Sequence, residues 1–116
     1  MASTGAAVLP APSEARVDAV FAALADPTRR HLVASLAAKP GATATGLAAG
    51  LPISRQAVAK HLQLLSRAGL VASRRSGREA RFELQPEPLA DAAAWIGAVG
   101  GEWDQRLSGL RRLLEN

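Results

Sequence analysis

The spacing of apolar residues changes character along the chain, and each change marks an element. From Ser13 onward, Val17, Val20, Phe21 and Leu24 recur at i, i+3, i+4 and i+7, which predicts a helix with Ser13 as N-cap and Glu14 in its first turn. Asp26-Pro27 ends that helix and opens a second. Asp26 is its cap, and Pro27 takes the first helical position, where a missing N–H costs nothing. Leu32, Val33 and Leu36 form the inner stripe of this second helix, and Lys39-Pro40-Gly41 stops it. A short third helix is predicted from Ala44 to Ala49, with Thr43 as cap and Leu47 and Leu51 as anchors. After a turn at Gly50-Leu51-Pro52-Ile53, Ser54 caps a fourth helix, Arg55 to Arg67, which Gly69 closes from the C′ position. Val58, Leu62 and Leu65 face inward there, while Arg55, Gln56, Ala59, Lys60 and Gln63 occupy the opposite face.

Beyond Gly69 the period drops from helical to two. Leu70 to Arg75 and Glu79 to Leu84 read as strands joined by a tight turn at Ser76-Gly77-Arg78, with Ala80, Phe82 and Leu84 inward and Arg81 and Glu83 outward. Pro86 and Pro88 end the sheet, and a last helical stretch runs to Glu115. It carries Leu89, Ile96, Trp103 and Leu110 at spacings of seven, with Val99, Leu107 and Leu114 flanking that seam. Gly100-Gly101 within it costs roughly 1 kcal/mol per glycine relative to alanine, and could kink the helix, admit another subunit closely, or act as a hinge. The expected fold class is mainly α with a small β-hairpin. Residues 1–12, small and proline-containing, are expected to be a disordered tail, and residues 13–116 one domain without internal repeats.

Composition narrows the function classes. A chain of 116 residues holds one small core. Apolar residues make up 48% of it but aromatic residues only 3%, so a partner subunit would help to stabilise it. The chain has no cysteine, which excludes disulfides, thiolate metal sites and thiol redox switches. No apolar run approaches the roughly 20 residues that span a bilayer, and the N-terminus does not resemble a signal peptide. A soluble protein of the cytoplasm, without membrane contact, is therefore expected. His31 and His61 lie far apart in sequence and have no thiol beside them, so no metal site and no cofactor are expected. With no glycine-rich phosphate loop and no Ser/His/Asp set, the chain does not read as an enzyme.

Charge is distributed unevenly. Between Arg55 and Arg81 there are seven basic residues and one acid, Glu79, whereas from Phe82 to the end six acids outnumber three basic residues. Positive charge thus collects on the fourth helix and the hairpin, whose Arg74–Arg81 segment holds four arginines in eight positions. A basic run can be no more than a solvated face. Two consecutive elements presenting one basic surface point instead to a polyanion. An exposed helix fits the major groove of B-DNA, about 12 Å wide, and the helix before it can cross the backbone. An arginine-tipped hairpin beside it can reach the narrow, electronegative minor groove. The alternative partner is another protein, in which case binding would release no condensed counterions and depend little on salt.

Three stretches in order carry a resemblance: FAALADPTRRHLVASL at Phe21 to Leu36, SRQAVAKHLQLLSRAGLV at Ser54 to Val71, and SRRSGREARFEL at Ser73 to Leu84. Together they resemble the ArsR-type winged helix-turn-helix regulators over about Val17 to Leu114. The resemblance implies a homodimeric transcriptional regulator, usually a repressor of a palindromic operator, released by a small-molecule effector that the sequence does not identify. It implies dimerisation through the first and last helices, here Val17, Val20, Phe21, Leu89, Ile96, Val99, Trp103, Leu107, Leu110 and Leu114. Its DNA-reading positions map onto Ser54, Arg55, Gln56, Ala59 and Lys60, with the wing at Arg74, Arg75, Arg78 and Arg81.

Arg55 and Gln56 suit bidentate reading of guanine and adenine, or contact phosphates alone. Ala59 stands where many members have serine and could touch a thymine methyl. His61, beside the inner stripe, suits either a phosphate contact or ring packing with a hydrogen bond to a neighbour. Trp95 and Trp103 suit dimer packing or an effector pocket. Members that sense metals carry a Cys-x-Cys pair in the third helix, or Asp and His ligands along the last one. This chain has ATATGLAAG in the first place and Asp91 without a histidine partner in the second, so the metal-independent branch is expected.

Overall fold

A computed structural model describes residues 12–115 of the chain. In order, the elements are α1 (Pro12–Leu24), α2 (Pro27–Ala38), α3 (Ala44–Ala48), α4 (Arg55–Arg67), β1 (Val71–Ser76), β2 (Glu79–Leu84) and α5 (Pro86–Glu115). The tail expected over residues 1–12 lies outside the described residues except for Pro12. Because Pro12 opens α1, Ser13 sits inside the first turn instead of capping it; the fixed φ of proline is already helical, which favours that start.

The caps of the other helices fall where the sequence places them. Asp26, Thr43 and Ser54 each have extended backbone and accept a hydrogen bond from the backbone N–H three residues on. At the far end of α4, Gly69 N–H donates to Ser66 O and Leu70 N–H to Leu65 O, both at 3.0 Å. This pair of bonds is a Schellman motif, and it needs the left-handed backbone that Gly69 adopts at φ 77. Leu70 and Leu65, which the motif brings together, are both fully buried. Leu70 is therefore the end of the helix cap, and β1 starts one residue later than its alternating pattern predicts.

The hairpin is antiparallel, with Val71 opposite Leu84 and Ser76 opposite Glu79. Its two-residue turn, Gly77-Arg78, has positive φ at Gly77 only, the II′ arrangement whose twist matches that of the strands. A further pairing had no signal in the sequence. Ala42, between α2 and α3, forms a β-bridge with Phe82 through Gly41 N–H to Phe82 O and Phe82 N–H to Ala42 O, each 2.9 Å. This third rung ties the wing to the helical body.

The core is aliphatic. Val20, Leu32, Leu36, Val58, Leu62, Leu65 and Leu70 are its large, fully buried side chains, drawn from α1, α2, α4 and the start of the hairpin. Phe82 and Leu84 of β2 pack against it half-buried. Val20, expected from the resemblance to lie on a dimer surface, is wholly inside the protomer. It falls on the side of α1 that closes this core, while Phe21, one residue on, faces outward.

α5 behaves differently at its two ends. Its first half packs on α1, where Ala92 is buried and the Phe21 and Trp95 rings meet edge to face at 5.6 Å. Its second half leaves the body. Trp103 is 57% exposed, Leu107 52%, Leu110 54% and Leu114 79%. The helix runs unbroken through Gly100-Gly101, so the glycines do not interrupt it. The radius of gyration, 19.3 Å, exceeds the roughly 13 Å of a compact chain this long, as a protruding helix requires.

Candidate nucleic-acid interface

The fourth helix is amphipathic in the strict sense. Val58, Leu62 and Leu65 are completely buried, whereas Arg55, Gln56, Ala59, Lys60 and Gln63 are all exposed on the other side. The buried stripe holds the helix axis, and the polar face stays free along its first two turns. Ser54 Oγ accepts from Ala57 N–H at 3.1 Å, so its oxygen is engaged as the cap while its hydroxyl hydrogen remains a donor. The unsatisfied N–H groups and positive dipole end of the helix lie at the same place as Arg55 and Gln56.

The turn between α1 and α2 is an electrostatic joint. Asp26 Oδ2 accepts from Arg29 N–H at 3.0 Å. That bond is the main reason its carboxyl titrates below the usual range; the charge of Arg29 and of His61 adds to the effect, and lost hydration opposes it. Arg29 Nε donates to Ala23 O and Arg30 Nη1 to Leu24 O, both at 2.6 Å. The two arginines thus satisfy the orphan carbonyls at the end of α1 and place positive charge at its negative pole. This is the physical content of the Asp-Pro-Thr-Arg-Arg run: one acid caps the start of α2, and two bases cap the end of α1.

His61 joins the same cluster. Its Nδ1 lies 3.4 Å from Arg29 Nη1 and 3.9 Å from Asp26 Oδ2, with the side chain about a quarter exposed. α4 is thereby tied to the α1–α2 turn by polar contacts as well as by its leucines. A lowered carboxyl pKa means that the ionised form favours the folded state. The contribution of Asp26 is complete above the ordinary carboxylate range and is lost as pH falls through its depressed value. Asp26→Ala is expected to lower the melting temperature at pH 7 and to flatten the loss of stability on acidification, as read from thermal melts between pH 7 and pH 2.

The wing arginines divide into two pairs. The register puts Arg74 and Arg81 opposite one another on one face, with Arg75 on the face shared by Val71 and Phe82. Arg74 Nε is 3.0 Å from Glu83 Oε1. Arg81 Nη2 is 3.0 Å from Glu79 Oε2, and its Nη1 donates to Gly41 O at 2.9 Å. Arg81 is consequently half-buried and braces the wing against the α2–α3 connection. Arg75 and Arg78 are exposed at the tip without an ion-pair partner among the described residues. Sequence reasoning counted all four alike. The acids that hold two of them, Glu79 and Glu83, were visible in the chain, but the carbonyl of Gly41 was not.

The arrangement presents a capped helix N-terminus, a free polar helix face and a basic hairpin tip on one small helical body. Residues 24–74 match the profile of a helix-turn-helix domain. The chain is 37% identical over 99 residues to the HTH-type transcriptional regulator Rv2034 of Mycobacterium tuberculosis, covering 85% of this chain and 89% of that protein. It is 33% identical over 78 residues to the transcriptional repressor SdpR of Bacillus subtilis, covering 66% and 84%. Among solved structures, an ArsR-like transcriptional regulator from Rhodococcus sp. RHA1 superposes with a TM-score of 0.74 at 39% identity, covering 89% of this chain and 96% of that one. These relatives are transcription regulators and not enzymes. Fold, polar face and relatives agree, and the chain belongs to the ArsR-type winged helix-turn-helix transcriptional regulators.

Proposed function

We propose that the chain is a homodimeric repressor reading a two-fold symmetric operator, with α4 of each protomer in a major groove and the wing tip over the flanking minor groove. The observation that carries this reading is the pairing of two free surfaces: the α4 face of Arg55, Gln56, Ala59 and Lys60, and the unpaired Arg75 and Arg78. Arg55 and Gln56 read bases, Ala59 admits a thymine methyl, and Lys60 and the Ser54 hydroxyl meet phosphates. Arg75 and Arg78 enter the minor groove, while Arg74 and Arg81 hold the wing in shape. The name of the relative SdpR supports repression as the outcome. The second half of α5, apolar and uncovered within the protomer, supports dimerisation. With no cysteine in the chain, release from DNA does not run through a thiolate. A regulator of this kind works on chromosomal DNA, in the cytoplasm.

Selection from random duplexes by the purified protein at physiological salt tests the reading. Enrichment of a symmetric site with half-sites about one helical turn, ~34 Å, apart is expected; recovery of DNA with no sequence preference would overturn it. On the selected site, Arg55→Ala is expected to cost about 1–3 kcal/mol and to relax preference at one base position. Arg78→Ala is expected to lower the salt slope of binding by about one and to lose most affinity where the minor groove is narrow. Titrations of both variants on the site and on single-base mutants separate the two roles.

A further inference from the structure

An open cavity of about 640 Å³ lies between the C-terminal half of α2, the α2–α3 connection with α3, and the wing strand β2. Its size falls within the range of small-molecule sites, roughly 300–1,000 Å³. Ala38, Ala42 and Leu47 give it apolar surface. Its polar lining is rich in free donors. Lys39 has no ion-pair partner among the described residues. Thr43 Oγ1 accepts from Gly46 N–H at 3.0 Å, which leaves its hydroxyl hydrogen to donate. Arg81 donates through Nη1 to Gly41 O and through Nη2 to Glu79, which leaves its Nε–H and one hydrogen on each Nη. Glu79, the acid of this lining, is exposed and already held by Arg81. Lys39 and Arg81 against Glu79 leave the cavity net positive.

We propose that this cavity binds a small organic carboxylate with an apolar body, and that its occupancy loosens the wing. The carboxylate meets Lys39 and Arg81, and the apolar part lies on Ala38, Ala42 and Leu47. A cationic ligand faces repulsion from the same two side chains. The link to the wing runs through Arg81, which ties β2 to Gly41 O across 40 residues. Beside that bond, Gly41 N–H donates to Phe82 O and Phe82 N–H to Ala42 O. An ionised acceptor holds a guanidinium more strongly than a backbone carbonyl does, so a bound carboxylate competes with Gly41 O for Arg81. Arg75 and Arg78, the free pair at the tip, belong to the same hairpin and move with it. The inference rests on the reading of the wing as a DNA contact and adds a ligand that regulates it. The coupling is reciprocal: the factor by which the ligand lowers DNA affinity is the factor by which DNA lowers ligand affinity.

2-Naphthoate, with one carboxylate on an apolar ring system, is the probe, and its uncharged amide is the control. In two-dimensional amide NMR of the full-length protein, naphthoate is expected to shift the signals of Lys39, Ala42, Thr43 and Arg81. A Kd of about 1 mM or tighter is expected from the usual ligand efficiency of small molecules. The amide is expected to bind on the order of tenfold more weakly, and Lys39→Glu to weaken naphthoate by a similar factor. Lys39 is exposed and stands outside the proposed DNA contacts, so this variant should keep its fold and its operator affinity. Saturating naphthoate is expected to lower the operator affinity of the natural chain at least ~5-fold, and that of Lys39→Glu much less at the same concentration. Equal binding of naphthoate and amide, shifts confined to other parts of the chain, or no shift at all would overturn the site. Bound naphthoate with operator affinity unchanged would overturn its link to the wing. A Lys39→Glu protein that loses operator affinity without ligand would make the basic lining a DNA phosphate contact and the proposal wrong. If the chain selects no operator, the DNA reading fails, while the NMR titration still decides the cavity.

Discussion

Trp103→Asp is expected to leave the protomer folded and to abolish tight operator binding. The indole is more than half exposed and belongs to no part of the buried core, so the fold loses little when it is removed. In the proposed dimer the same position lies within the interface, where a carboxylate would be desolvated without a partner at a cost of several kcal/mol. Sedimentation at micromolar concentration should then give the monomer mass, while circular dichroism keeps its helical signal. Two linked reading heads gain about 10²–10⁴ in avidity over one, so affinity for the symmetric site should fall by at least ~100-fold. Affinity for a single half-site should barely change. Retention of tight binding by a Trp103→Asp protein would place the interface elsewhere.

Leu62→Ala should act through the opposite route. Leu62 is wholly buried on the inner side of α4, in the cluster that includes Leu32, Leu36 and Leu65. Truncation of a leucine in such a site removes its burial and leaves a cavity, together about 2–5 kcal/mol. Against a typical domain stability of 5–15 kcal/mol, that is a large fraction, and the small aliphatic core here has few other contacts to share the loss. A denaturant titration should show the midpoint falling with the slope little changed. The fraction that stays folded should bind the operator with nearly native affinity, since the polar face is untouched. A loss of stability below about 0.5 kcal/mol would mean that α4 is held mainly by the Asp26–Arg29–His61 joint and not by its leucine stripe.

The two substitutions act on two different apolar surfaces of a chain that has few of them. The core is closed by leucine and valine from α1, α2, α4 and the hairpin, while both tryptophans lie outside it. Aromatic side chains carry the largest burial per residue, so in the proposed dimer the exposed area of the two tryptophans on α5 is a gain for association and not for closing the core.

Unlike the start of α1, the N-caps of α2, α3 and α4 and the two faces of α4 were determined by the sequence itself. Each depends on residues within one or two turns of one another: Asp26 with Pro27, Ser54 with Ala57, Gly69 with Leu65 and Ser66, and Val58, Leu62 and Leu65 at helical spacing. The basic character of α4 and the wing was equally legible, because charge is additive along the chain. Tertiary structure decided what depends on distant partners. Only packing turned Val20 into the core and left Phe21 against Trp95. Only the bridge between Ala42 and Phe82 brought Gly41 O to Arg81, 40 residues away, and so separated a braced arginine from the free pair at the tip. His61 met Arg29 across 32 residues for the same reason. A local pattern fixes which side of an element is apolar, because periodicity is a property of the element alone. Which polar groups remain free depends on chain segments brought together only when that apolar side is buried.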